Sequence, residues 1–341
     1  MTAPVRVLIV DDSPSIRAAL HRILSSDPDI EVVGLAFEPH MARAMIKDLN
    51  PDVITLDIEM PGMNGLEFLE KIMRLRPMPV VMCSTLTERG ADATIAALRL
   101  GAVDCIAKPT GNAADLRRVG AELCAVVKGA ALASVRATPV PVVRVAASRP
   151  GALADSIVAI GASTGGVEAL FSVLAALPQD CPPVLVVQHM PAAYTRGFAA
   201  RLDKECGVRV VEAEDAAPLA GGTVYIAPGG ATHMALAAEG PMRIALRAAP
   251  PVGGHRPSVD VLFRSVARLG RRSVGVILTG MGADGAEGLK EMRLAHAHTI
   301  GQDRASCVVY GMPRAAFECG AVAAEMPLSA IPQAIIAACR K

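Results

Sequence analysis

Ile157-Val158-Ala159-Ile160-Gly161-Ala162-Ser163-Thr164-Gly165-Gly166-Val167-Glu168-Ala169-Leu170 is the stretch whose reading decides the fold. A short apolar, β-branched run enters it and a helix-like pattern leaves it. Gly161-Ala162-Ser163-Thr164-Gly165 fits G-x-S-x-G, the strand-to-helix turn that exposes a nucleophilic serine. A hydroxyl that must stand out at a sharp turn needs small neighbours. The helix that follows aims N–H groups and a positive dipole end at the reacting centre. A phosphate-binding turn is the first competing reading. It wants G-x-G-x-x-G or a Lys-Ser/Thr pair after Gly166, and an acid at the end of the next strand. Residues 184–187 form that strand, and it runs into Gln188-His189. The second competing reading makes Ser163 a helix N-cap. The turn alone does not separate N-cap from nucleophile.

Composition narrows the classes. A chain of 341 residues is long enough for two domains, and 52% hydrophobic content with a mean hydropathy of +0.40 supports a large core. The apolar residues are chiefly Ala, Val, Leu and Met, with no Trp, which suits α/β packing rather than an aromatic binding platform. A net charge of +1 exerts no global pull on nucleic acid, and no basic helix-turn-helix segment is present, so a DNA-binding regulator is disfavoured. No apolar run approaches the ~18 residues of a membrane span, so no direct membrane insertion is expected. The amino terminus enters a strand pattern without a signal-peptide pattern. The eight cysteines are scattered, form no C-x-x-C, and in cases such as Cys83 and Cys105 lie in apolar runs. They read as reduced thiols of a cytoplasmic protein.

Taken in order, residues 5–10 form a buried strand with Asp11-Asp12 at its carboxyl end, and Ser13 or Pro14 opens a helix to about Ser25. Further strands over 52–56, 79–83 and 105–107 end in Asp57, Ser84-Thr85 and Lys108-Pro109. Strands alternating with helices imply a parallel sheet, whose functional groups gather at the carboxyl ends of the strands. Asp11, Asp12 and Asp57 make a hard oxygen site suited to Mg²⁺. Lys108 and Ser84 could contact a phosphoryl group carried on an acid.

Over about residues 4–128 the chain resembles a response-regulator receiver domain. The resemblance rests on Leu8-Ile9-Val10-Asp11-Asp12-Ser13, Asp57-Ile58-Glu59-Met60-Pro61-Gly62-Met63-Asn64-Gly65 and Lys108-Pro109. It implies Asp57 as phosphoacceptor for a histidine kinase phosphodonor. It implies Asp11, Asp12, Asp57 and the Glu59 carbonyl as Mg²⁺ ligands, Ser84 as the switch hydroxyl and Lys108 as the phosphate contact. Cys105 stands where receivers often carry Tyr or Phe. Residues 129–152, rich in Ala, Val, Pro, Arg and Ser, read as a linker. A second α/β pattern begins at Ser156. The expected architecture is α/β: a doubly wound parallel-sheet receiver over 1–128, then a second α/β domain with a mostly parallel sheet over 153–341.

The second half offers partners for Ser163. His189 follows the strand 184–187, and Asp284 lies in the glycine-rich loop 279–285 after a strand over 273–278. An imidazole, with an unperturbed pKa of ~6.5, can take a serine proton near neutrality, and a carboxylate fixes its tautomer. A second assignment is open, because His296 and His298 follow Asp284 and give the Ser…Asp…His order of α/β-hydrolases. Those two precede the run Thr299-Ile300, on the entry side of a strand. His233 and His255, after glycine-rich turns, are lesser candidates for substrate contact.

Residues 153–338 resemble the catalytic domain of CheB-type chemotaxis protein-glutamate methylesterases. The resemblance rests on Gly161–Gly166, Gln188-His189-Met190-Pro191, Val224-Tyr225-Ile226-Ala227-Pro228-Gly229-Gly230, His255-Arg256-Pro257-Ser258-Val259-Asp260, Thr279–Gly285 and Ser306-Cys307-Val308-Val309-Tyr310-Gly311-Met312-Pro313. It implies a triad of Ser163, His189 and Asp284, with the Met281 N–H helping to hold the oxyanion and no cofactor in this half. The implied substrates are γ-glutamyl methyl esters on cytoplasmic helices of methylated chemoreceptors, together with specific receptor glutamines. This chain departs from the family at His296-Ala297, where a Gly-Gly pair is usual, and at Gly301-Gln302-Asp303-Arg304, where Ala-Gln-Asp-Glu is usual. Either departure could alter the loop near the active site or the contact with the receiver. The alternative is a receiver fused to a catalytically silent partner-binding module, a reading that the complete set of three residues opposes.

Overall fold

The computed structural model describes residues 3–60, 62–84, 88–109, 113–135, 156–238 and 240–340. The chain divides into two compact units, Met1–Pro139 and Val140–Lys341.

The first unit alternates strand and helix throughout: β1 (Val5–Val10), α1 (Pro14–Leu24), β2 (Ile30–Ala36), α2 (Pro39–Leu49), β3 (Val53–Asp57), α3 (Gly65–Leu75), β4 (Val80–Ser84), α4 (Glu88–Arg99), β5 (Asp104–Ala107) and α5 (Ala113–Ala131). The sheet is parallel, in the order β2-β1-β3-β4-β5. Strands β3 and β4 are buried along their whole length, as a parallel strand covered on both faces must be. The helix expected from Ser13 or Pro14 starts as read: Ser13 is its N-cap and its Oγ accepts from the Ile16 N–H. The sequence reading did not single out β2. It is an edge strand, half exposed, and carries Glu31 and Gly34 instead of a continuous apolar run. Helix α5 continues through Ala131, three residues into the expected linker; residues 136–152 of that linker lie outside the described residues.

The second unit contains β6 (Ile157–Ala162), α6 (Gly166–Ala176), β7 (Val184–Gln188), α7 (Ala192–Glu205), β8 (Arg209–Glu212), β9 (Thr223–Ile226), β10 (Thr232–Leu236), β11 (Ile244–Ala248), α8 (Val259–Ala267), β12 (Ser273–Ile277), α9 (Ala286–Leu294), β13 (His298–Gln302), α10 (Met312–Glu318), β14 (Ala324–Met326) and α11 (Ile331–Cys339). Seven strands form one parallel sheet, β14-β13-β12-β6-β7-β9-β8, and β10 and β11 pair antiparallel apart from it. The chain enters this sheet at its centre, builds outward through β7, and later crosses to β12 on the other side. Strand order therefore reverses at β6. In open α/β sheets such a switch point leaves a crevice at the carboxyl ends of the strands. Strands β6, β7 and β12, the three that flank this point, are completely buried.

All eight cysteines are free thiols and six of them are buried. Among the described residues, no helix is long and apolar enough to cross a membrane.

Candidate active site

Strand β6 ends at Ala162, and Ser163 is the next residue. Its N–H donates to the Thr279 carbonyl at 3.1 Å, and its own carbonyl accepts from the Gly166 N–H at 2.7 Å. Helix α6 starts at Gly166 with Gly165 as its N-cap residue, at φ 76°. The N-cap reading of Ser163 therefore gives way: the cap lies two residues later and uses no side chain. The two glycines of the motif answer to separate demands. A β-carbon at Gly165 would stand 2.5 Å from Val308 Cβ on a backbone that L-residues avoid, and one at Gly161 would stand 2.2 Å from Val259 Cγ1.

His189 occupies the matching place on the neighbouring strand. Ala162 pairs with Gln188 in the register of β6 and β7, so Ser163 and His189 each stand one residue past the paired ends. The His189 N–H donates to the Ala162 carbonyl at 3.1 Å. Gln188 is buried, and its Nε2 donates to the carbonyls of both Ser163 (3.0 Å) and His189 (3.1 Å). One side chain thus fastens the serine turn to the histidine.

Asp284 comes from the loop after β12, the strand on the other side of β6. Its Oδ2 lies 2.8 Å from His189 Nε2. The same oxygen accepts from the Val259 N–H at 2.8 Å, while Oδ1 accepts from Ser258 Oγ at 2.8 Å and the Asp260 N–H at 3.2 Å. Val259 and Asp260 open α8, and Ser258 holds its N-cap position without a side-chain cap bond of its own. Asp284 therefore caps α8 from a distant loop, and the helix end favours its negative charge. Burial pushes this carboxyl up, but the bond and charge of His189, with Val259 and Ser258, outweigh it and hold the group below the usual carboxylate range. Among the described residues the buried His189 Nδ1 has no hydrogen-bond partner; it is the ring nitrogen left over once Nε2 is on Asp284.

The loop bearing Asp284 also lies against the serine. A β-carbon at Gly280 would stand 2.8 Å from Ser163 Cβ. The Gly280 N–H donates to the Val309 carbonyl, and the Gly280 carbonyl accepts from the N–H groups of Gly311 and Met312, which fixes the peptide leading to Met281. The Met281 N–H has no protein acceptor among the described residues.

Two of the other candidate histidines, His296 and His298, fall away from this edge. His298 is abreast of Val274 near the start of β12, whereas Ser163 and Asp284 follow the far ends of β6 and β12. His296 precedes it in the turn after α9. The departures at His296-Ala297 thus belong to the amino edge of the sheet, away from the loop near the active site, one of the two places they were expected to affect. Arg304 is exposed in the loop after β13, on the carboxyl edge. His233 is buried, with Nδ1 accepting from the Ser258 N–H at 3.1 Å and Nε2 on the Pro250 carbonyl at 3.0 Å. Both its nitrogens are engaged in holding the segment that carries Ser258. Gln188 and Ser258 escaped the sequence reading as site residues. Ser258 left a trace, since Ser-Val-Asp before an apolar run marks a helix start.

In the first unit the predicted residues also converge. One oxygen each from Asp11, Asp12 and Asp57 lies within 4.8 Å of the others. Lys108 Nζ stands 2.9 Å from Asp11 Oδ2 and 2.7 Å from Asp57 Oδ2. Burial pushes the Asp57 carboxyl up to about 6, against the hydrogen bond from Lys108 and with the Asp11 charge adding to the rise. The buried Ser84 accepts the Lys108 N–H at its carbonyl, 2.8 Å away. A cavity of about 630 Å³ is lined by Asp12, Asp57, Glu59 and Lys108 among others. Cys105 is buried in β5, and burial drives its thiol well above the ordinary range.

Comparison with known proteins matches both units. The family model "CheB methylesterase" matches residues 158–335, and "Response regulator receiver domain" matches residues 7–119. A protein of Caulobacter vibrioides named protein-glutamate methylesterase/protein-glutamine glutaminase 1 is 58% identical over 337 residues, covering 98% of each chain. A protein of Agrobacterium fabrum named protein-glutamate methylesterase/protein-glutamine glutaminase is 54% identical, covering 98% of this chain and 97% of its own. The crystal structure of the Thermotoga maritima CheB methylesterase catalytic domain aligns with 53% of this chain and 97% of its own, at 37% identity and a TM-score of 0.52. With a receiver domain ahead of it and relatives matched over nearly their full length, the chain belongs to the CheB methylesterase family.

Proposed function

We propose that the protein is a phosphorylation-controlled serine esterase of the cytoplasm that removes methyl esters from glutamate side chains of chemoreceptors and deamidates receptor glutamines. The names of its near relatives support the substrate class. The observation that carries the chemistry is the 2.8 Å contact of His189 Nε2 with Asp284 Oδ2 beside the Ser163 turn, at the carboxyl ends of three adjacent strands.

In this reading Ser163 Oγ attacks the ester carbonyl while His189 Nδ1 takes its proton. Asp284 holds the Nε2–H and balances the imidazolium. The Met281 N–H donates to the developing oxyanion, a contribution of ~3–4 kcal/mol per donor in a well-studied serine protease. As the C–O bond breaks, His189 gives the proton to the departing methoxide oxygen, which leaves as methanol, or, as the C–N bond of a glutamine breaks, to the departing nitrogen, which leaves as ammonia. A water then hydrolyses the acyl-enzyme by the same route in reverse. No cofactor is called for in this unit.

In the receiver, Asp57 accepts the phosphoryl group from a histidine kinase, Lys108 contacts it and Ser84 reports it. Asp11, Asp12, Asp57 and the Glu59 carbonyl would hold Mg²⁺; three clustered carboxylates are the hard oxygen set that this ion takes. Bound there, Mg²⁺ offsets the charge of the phosphoryl oxygens.

The test is methanol release from methylated receptor fragments by the full chain and by Ser163→Ala. The expected result is loss of release with unchanged thermal unfolding. Wild-type release by Ser163→Ala would remove the assignment of the nucleophile, and absence of release by the full chain itself would favour the silent-module alternative.

A further inference from the structure

The imidazoles of His189 and His255 lie parallel, with centroids 3.8 Å apart and planes within 3°. Asp284 thus holds one edge of the His189 ring and His255 covers one face. The position of His255 is fixed from both sides. Its N–H donates to the Val252 carbonyl at 3.0 Å, and its carbonyl accepts from the Val252 N–H at 3.1 Å, closing a tight turn. The next residue, Arg256, donates from its guanidinium to the carbonyls of Gly230 and Ala249. Two residues further on, Ser258 is tied to His233 and to Asp284. With its backbone anchored this closely, the His255 ring stacked on His189 is more than a neighbour in passing.

Its charge state follows from its surroundings. Burial first, and then repulsion from His189 wherever that ring is protonated, push the His255 imidazole down to about 4, with Asp284 pulling the other way. Arg256 spends its guanidinium on backbone carbonyls, and both nitrogens of His233 are bonded. His255 is accordingly neutral near pH 7.

We infer that His255 is a positioning residue for ester hydrolysis: its neutral ring holds the His189 ring in plane and stabilises the imidazolium that His189 becomes. This rests on the roles given above to Ser163, His189 and Asp284. A cation within ~6 Å of an aromatic face is attracted to it, and more so in a site shielded from water. Here the cation exists only after the Ser163 proton has moved to His189 Nδ1 as the Oγ–C bond forms. The attraction is absent from the ground state, so it acts on kcat and leaves KM nearly alone. His255 itself neither takes nor gives a proton; that proton leaves with methanol.

The discriminating pair is His255→Phe and His255→Leu, which fill similar volume with and without a flat π face. Full-length protein is assayed on a peptide bearing a glutamyl γ-methyl ester, with Ser163→Ala in parallel. His255→Phe should keep kcat within about threefold, whereas His255→Leu should lose about fivefold or more in kcat with KM within about twofold. His255→Arg, flat but permanently charged, should lower kcat further and move the acid limb of the kcat profile to lower pH. Equal kcat for Phe and Leu, whether high or low, would overturn the inference. Turnover by Ser163→Ala would instead overturn the underlying triad, so the two failures are distinct.

Discussion

His189 and Asp284 are separated by 95 positions in the chain and by 2.8 Å between Nε2 and Oδ2. The carboxylate that closes this gap also receives the first N–H groups of α8. In the proposed mechanism, catalytic orientation and helix capping are thus served by one side chain, and a change in either is felt in the other.

Ser258→Ala tests that coupling. It removes a hydrogen bond of 2.8 Å to a buried carboxylate and leaves the bonds from Val259, Asp260 and His189. A bond of this charge-assisted kind is worth about 1.5–3 kcal/mol. The expected outcome is a lower Tm together with a fall in kcat, read by calorimetry and by methanol release. The pH dependence has a definite sign. Asp284 is held below its ordinary pKa, so its contribution to stability is present above about pH 4 and is lost as pH falls through the folded value. His255 adds loss in the same direction between about 6.5, its value when unfolded, and about 4 when folded. In His255→Phe the Tm should therefore fall less between those two pH values than in the wild type.

The competing histidines separate cleanly. His189→Ala should lose about 10³-fold or more in kcat, the scale on which triad members act as a unit. His298→Ala should retain activity within about twofold, because His298 begins β13 at the opposite end of the sheet from Ser163. The reverse outcome would restore the Ser…Asp…His order and move the base.

What was legible in the sequence was what local pattern controls. Residues 157–166 carry their own strand, turn and glycine spacing, and strand-end residues such as Asp57, Lys108 and His189 could be placed because parallel strands present their carboxyl ends together. The edge strand β2 was not legible, since an exposed edge does not need a continuous apolar run. Nor was the fourfold reception of Asp284, the clamp by Gln188 or the stack of His255 on His189. Each joins segments tens of residues apart, and none leaves a periodic signal in either segment. Ser258 is the instructive case: it stands where a capping residue stands, yet its hydroxyl serves Asp284.

His296 sits at φ 68°, a left-handed conformation in which a β-carbon costs about 1–2 kcal/mol. Glycine is free of that cost, though it gives back part of the gain in chain entropy. His296→Gly should raise stability by about 0.5–1 kcal/mol, or a few degrees in the Tm of the second unit. Activity should be unchanged, because the turn lies on the amino edge. A loss of methylesterase activity in a stabilised His296→Gly protein would show that the turn communicates with Ser163.

Control by the receiver is tested through Asp57. Acetyl phosphate with Mg²⁺ should raise the esterase rate of the full chain by about fivefold or more, within the usual range of coupling between two sites. Asp57→Ala should keep the basal rate and show no rise, since it lacks the oxygen that forms the acyl phosphate. Removing Mg²⁺ with EDTA should abolish the rise in the wild type and leave the basal rate intact, because Asp11, Asp12 and Asp57 belong to one unit and Ser163, His189 and Asp284 to the other. A basal rate that falls with EDTA would point to a metal requirement in the catalytic unit and would contradict the serine mechanism. A rise that persists in Asp57→Ala would place the phosphoryl group on another residue. Asp12, which shares the cavity with Glu59 and Lys108, would then be tested as an alternative acid.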